Sequence, residues 1–137
     1  MQCHLFAVDK RFPAATPKQN SDKWFQPRWT EDLPFAVRAI ALADKSLLVA
    51  GPPQLVDEEE TFRHVNDPAT VQSLAQQQAS LDGKLGGSLW AVSAADGKRL
   101  AECKIDQPPV FDGMIVAGGR VYLATCGGQV VCLGTNQ

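Results

Sequence analysis

"FDGMIVAGGRVYLATCGGQVVCLG", residues Phe111 to Gly134, decides how the rest of the chain reads. Three apolar runs are separated by "AGGR" and "CGGQ", and glycine accepts the positive φ of a tight reversal without steric cost. The runs are read as antiparallel strands at Val110 to Ala117, Arg120 to Thr125 and Gln129 to Leu133. A three-stranded sheet ending there leaves a row of backbone donors and acceptors open, and such an edge is normally paired or covered. A fourth strand is expected from outside this stretch.

Working back along the chain, the same strings recur. "HLFAVD" (His4 to Asp9) and "SLWAVS" (Ser88 to Ser93) share their pattern with "QVVCLG" (Gln129 to Gly134), and Leu89 precedes Val130 by 41 positions. "AIALADKSLLVA" (Ala39 to Ala50) aligns with "GMIVAGGRVYLA" (Gly113 to Ala124) at an offset of 74, which also relates Pro34 to Pro108 and Asp32 to Asp106. The 34 residues from Pro52 to Leu85, opposite the short turn "CGG", account for most of the difference between the two offsets. A period near 40 built of four short strands is the pattern of a β-propeller blade.

Lettering each blade A to D from the inside outward, the chain starts in mid-blade. Residues 1–33 supply strand C (His4 to Asp9) and strand D (Phe25 to Glu31) of one blade. Residues 34–107 form a complete blade, with A near Ala36 to Ala43, B near Ser46 to Gly51, C at Ser88 to Ser93 and D at Arg99 to Ile105. Residues 108–137 form a last blade without its D strand. The fold expected is an all-β, partial propeller, the C-terminal portion of a longer protein, with one short helix in the insertion at 52–85. In that insertion Asp67 is the expected N-cap, Pro68 the first helical residue and Gly83 the stop. Val71, Leu74, Ala75, Ala79 and Leu81 give the helix a narrow apolar stripe, suited to a rim position.

At 137 residues, with 45% apolar and 20% charged residues, the chain reads as one soluble globular unit with enough length for a core. A net charge of −2 gives no electrostatic reason to expect nucleic acid or an anionic membrane as partner. No apolar run approaches the roughly 20 residues of a membrane-spanning helix. Asp9, Lys10 and Arg11 interrupt the N-terminal apolar run, so it does not read as an export signal.

Candidate chemistry is sparse. His4 and His64 stand at no catalytic or metal-binding spacing, and the acidic run Asp57 to Glu60 lacks the alternating ligands and glycine of a calcium loop, so it reads as a solvated loop. Cys3, Cys103, Cys126 and Cys132 form no C-x-x-C pair and are read mainly as small buried thiols. Arg38 is read as an edge-exposed or salt-bridged side chain, with a place in a central channel as the functional alternative. Trp29 and Trp90 are read as core, Trp90 packing between neighbouring blades. No catalytic, cofactor-binding or metal-ligating residue is assigned.

"LWAVSAADGKRLAE" is similar to the repeat of pyrroloquinoline-quinone-like propellers, with its strand, D-G-K turn and outer strand. "VRAIALADKSLLVAGPPQLVDEEE" and "GSLWAVSAADGKRLAECKIDQPPVFDGMIVAGGRVYLATCGGQVVCLG" resemble the C-terminal blades of large bacterial proteins of that type, many of them planctomycete. The likeness runs from Pro34 to Gly134; before it, only "HLFAVDK" matches. It implies a seven- or eight-bladed, extracytoplasmic (periplasmic or secreted) parent. Quinoprotein dehydrogenases of this likeness add a catalytic Asp, a calcium site and often a vicinal cysteine pair, and no two cysteines are adjacent here. The expectation is a non-catalytic scaffold or protein-interaction module without a cofactor, whose partners are the missing blades or another protein. The alternatives are the tail of a quinone-dependent oxidoreductase whose active site lies on absent blades, and a truncated reading frame without independent function.

Overall fold

The computed structural model describes residues 3–9 and 26–134. Trp24 and Phe25 lie outside the described residues.

Nine strands and two short helices follow one another as β1 (Cys3–Ala7), β2 (Trp29–Leu33), β3 (Ala39–Ala43), β4 (Ser46–Gly51), α1 (Glu58–Arg63), α2 (Pro68–Leu81), β5 (Gly87–Ser93), β6 (Arg99–Ile105), β7 (Pro109–Ala117), β8 (Arg120–Thr125) and β9 (Val130–Leu133). They form three antiparallel sheets: β1-β2, then β3-β4-β5-β6, then β7-β8-β9. In every described sheet the strands pair in chain order, and β3–β4, β5–β6, β7–β8 and β8–β9 are joined by short turns. Gly97, Gly118 and Gly119 all have positive φ at these reversals.

Register makes the second and third sheets equivalent. In the second sheet Ile40 stands opposite Val49 and Ala50 opposite Leu89. In the third, Met114 stands opposite Leu123 and Ala124 opposite Val130. Offsets of 74 and 41 therefore relate paired residues to paired residues, and Leu89 and Val130 occupy the same place in their sheets.

Two apolar cores lie between the three sheets. The first gathers Leu5 and Leu33 with Phe35, Val49, Trp90 and Val92, and Phe35 meets Trp90 edge-on with ring centroids 5.4 Å apart. The second gathers Ala39, Ala50 and Leu89 from one side, and Met114 and Leu123 from the other. Strand alternation explains both, because successive side chains of β4 and β5 point to opposite faces. Val49 and Trp90 face the first sheet, while Ala50 and Leu89 face the third. Of strands in different sheets, β3 and β7 run closest, and Asp112 N–H donates to the Arg38 carbonyl at 2.9 Å.

Gly97 is also constrained by space, since a Cβ there would fall 2.6 Å from the Trp29 ring. Trp29 Nε1–H donates to the Ala94 carbonyl at 3.2 Å, so the β5–β6 turn is fixed against the first sheet.

Several expectations need correction. The insertion carries two helices instead of one. Glu58, Glu59 and Glu60, read as solvated loop, form the first turn of α1, because Asp57 caps it by accepting from the N–H groups of Glu59 and Glu60 at 2.9 and 3.1 Å. In α2 the expected Pro68 start is found, and Gly83, at φ +86°, lies just past the Asp82 C-cap. Of its narrow apolar stripe, Val71 and Leu74 are exposed and Leu81 is half-buried. Buried Ser80 donates to the Pro53 carbonyl at 2.6 Å, and Gln77 Oε1 accepts from Leu55 N–H at 2.6 Å, so α2 attaches through polar groups. The second strand lies at Trp29–Leu33, later than Phe25 to Glu31, because Leu33 enters the first core. Strand β3 starts at Ala39 instead of Ala36, although Ala36 and Arg38 N–H groups still reach the carbonyls of Pro52 and Ala50 at 2.9 Å each.

Candidate interaction surface

The third sheet has one covered face and one open face. Leu123 and Met114 are buried against the second sheet, with Val121, Val131 and Leu133 partly buried beside them. Alternation places Ile115, Tyr122, Ala124, Val130 and Cys132 on the opposite face, where Ile115 is 62% exposed and Val130 74%. These positions match Ala41, Leu48, Ala50, Leu89 and Ala91 of the second sheet by register. The open face is thus the counterpart of one that packs on a neighbouring sheet. Reading the 41- and 74-residue offsets residue by residue names these side chains from the sequence.

Backbone groups are also open at the edge of this sheet. Thr125 N–H donates to the Gln129 carbonyl at 2.8 Å, which makes that pair hydrogen-bonded. Pairs alternate in an antiparallel ladder, so Leu123–Val131 and Val121–Leu133 are bonded as well. The N–H and C=O groups of Val130 and Cys132 then point away from β8, on a side of β9 where no described strand pairs. Between the end of β6 and the covered face of β8 and β9 lies a groove of about 160 Å³, lined by Ile105, Gln107, Leu123, Thr125, Val131 and Leu133 among others.

The residues weighed for chemistry fall elsewhere. Among the described residues Arg38 pairs with no carboxylate: its Nη2 donates to the Leu81 carbonyl at 2.6 Å and its Nη1 to Cys126 Sγ at 3.1 Å. It thereby ties the C-terminal end of α2 to the turn after β8. His4 Nδ1 lies 2.5 Å from Asp32 Oδ1 on the exposed face of the first sheet, and His64 Nδ1 lies 3.4 Å from Asp67 Oδ2. Neither pair adjoins a serine or cysteine nucleophile among the contacts described. Trp29 and Trp90 belong to the first core, and Arg99 sits 4.6 Å above the Trp90 ring.

Cysteine burial differs from the expectation of buried thiols. Cys103, Cys126 and Cys132 are exposed and Cys3 is half-buried, with all four thiols free. Cys126 lies in the turn after β8, Cys132 on the uncovered face of the third sheet, and Cys103 on β6, the outer strand of the second sheet.

Two carboxyl groups are held below their ordinary value of 3.8. For Asp57 the main cause is the Glu60 backbone N–H, with Glu59 N–H and the Arg63 charge adding to it. For Asp96, hydrogen bonds from Ser93 and Lys98 are responsible. Both stabilise local structure, a helix start and a hairpin turn.

Among the described residues no group of three or more His, Cys, Asp or Glu side chains is placed to hold a metal ion. Nor is any described helix long and apolar enough to cross a membrane. No protein-family model, no curated protein and no solved structure matches the chain.

Proposed function

We propose that the three sheets are successive blades of a β-propeller, and that the chain serves as a non-catalytic scaffold or protein-interaction module within a larger extracytoplasmic protein. The observation that carries this reading is the register equivalence of the second and third sheets together with the open face of the third. A repeated sheet whose one face packs on its neighbour, and whose other face is apolar and uncovered, is built for face-to-face stacking. The close approach of β3 and β7 supports their role as inner strands, since blades converge toward the axis of a propeller. The extracytoplasmic setting rests on the resemblance of "LWAVSAADGKRLAE" and its neighbours to pyrroloquinoline-quinone-like repeats. The partner under this reading is a further blade or another protein.

Titrating the purified chain with pyrroloquinoline quinone and calcium, while assaying dye-linked alcohol oxidation, tests the non-catalytic part. The expected outcome is no quinone absorbance band and no turnover. Turnover above the level of free quinone would replace the scaffold reading with an oxidoreductase one.

A further inference from the structure

We infer that residues 57–82, which carry α1 and α2, form a strap that opens as one unit over the cavity beneath it, with Gln77 as the latch. A segment opens separately from a fold when it shares little buried apolar surface with it. Among the described residues, no side chain of α1 or α2 belongs to either apolar core. In α1 no residue is buried, and in α2 the buried residue is Ser80, a polar one. Opening the strap therefore leaves both cores and the three sheets as they are, whether or not those sheets belong to a propeller.

Hydrogen bonds to backbone hold the strap closed. The segment before it is fixed to the frame, since Gln54 N–H donates to the Pro34 carbonyl at 3.1 Å and Pro53 bridges to Phe35. Against this segment the Gln77 carboxamide works as a neighbouring strand would. Its Oε1 accepts from Leu55 N–H at 2.6 Å and from Val56 N–H at 3.3 Å, while its Nε2 donates to the Pro53 carbonyl at 3.3 Å. Ser80 Oγ shares that carbonyl at 2.6 Å, and Arg38 Nη2 holds the Leu81 carbonyl at 2.6 Å. Water replaces such bonds at modest net cost, whereas it cannot replace a buried apolar contact. Gly83 and Gly86, at φ +86° and +69°, follow the strap and absorb its change of direction. Beneath it lies a cavity of about 280 Å³, with Cys3, Ala36 and Val37 on the frame side and Glu58, Gln77 and Leu81 on the strap side. The strap thus controls access to this cavity.

Native-state hydrogen exchange over a series of sub-denaturing urea concentrations tests the strap. The amides of residues 73–82 are expected to converge on one opening, with a lower free energy and a weaker urea dependence than the amides of β4 and β5. Gln77→Ala is expected to lower protection throughout α2 by roughly fivefold or more and to leave β4 and β5 unchanged. Alanine is the better helix former, so propensity acts in the opposite direction, and Gln76→Ala on the exposed side of α2 is expected to lower nothing. Cys3, half-buried in the cavity wall, is expected to be alkylated faster in Gln77→Ala, measured against exposed Cys103. Equal free energies and urea dependence in α2 and in β4 and β5 would show that the insertion leaves only with the whole fold, and would overturn the inference. So would α2 amides without a shared value, a Gln77→Ala variant whose α2 is unchanged or whose β4 and β5 lose as much, or an unchanged Cys3 rate.

Discussion

Leu89 and Val130 stand at the same register position of two equivalent sheets, yet Leu89 is 7% exposed and Val130 74%. The reverse pair is Met114, 6% exposed, and Ile40, 49% exposed, each opposite the matching β-strand residue. Within each pair the strand pattern is the same, and what differs is whether a neighbouring sheet reaches that position, since Ile40 shares the face of Val49, which the first core buries. Apolar alternation prepares a surface for burial, whereas an adjacent sheet performs it. Patches of this kind are uncommon on isolated soluble domains.

Substitutions on covered and uncovered faces should therefore diverge, and chemical unfolding measures the gap. Trp90→Ala removes the largest side chain of the first core and is expected to cost about 3–5 kcal/mol. Leu123→Ala empties the fully buried centre of the second core, at about 2–5 kcal/mol. Its counterpart across the same sheet, Val130→Ala, is expected to change stability by less than about 0.5 kcal/mol. A large loss at Val130 would mean that its face is covered in solution, and the contrast between the sheets would collapse.

Gly97→Ala sharpens the comparison at a turn. It places a Cβ against the Trp29 ring and strains a residue at φ +77°, so a loss on the order of 1–3 kcal/mol is expected. Gly118→Ala, at φ +57° with nothing within 4 Å, carries only the backbone part of that cost. Equal losses at the two sites would remove the contact with Trp29 from the account.

Acid titration is expected to give the smallest effect. The lowered carboxyls of Asp57 and Asp96 contribute stability that is complete above their unfolded value near 3.8, and that is lost as pH falls through their lower folded values. Thermal melts between neutral pH and pH 3 should show a shallower acid limb for Asp57→Asn and Asp96→Asn than for the parent chain. Identical limbs would mean that neither hydrogen-bonded carboxylate contributes.

Much of the architecture was legible in the string because strand pairing is a local matter. "AADGK" and "AGGR" admit little besides tight reversals, and the runs they join can only meet as hairpins. The 41- and 74-residue offsets predicted which side chains are equivalent, and the ladder pairs bear that out. The α2 start was equally readable from Asp67 and Pro68. By contrast, α1 was hidden in "VDEEETFR", where glutamates suit a solvated loop as well as a helix start, and only the Asp57 side chain turning to the Glu59 and Glu60 N–H groups selects the helix.

The sequence by itself determined the strands, their turns and the two apolar faces of each repeat, since these follow from side-chain alternation and from glycine's backbone freedom. Only the tertiary structure decided which faces are covered, that α2 docks through Gln77 and Ser80, and that Arg38 joins Leu81 to Cys126. Each of these depends on groups from distant parts of the chain meeting in space, which no local pattern specifies.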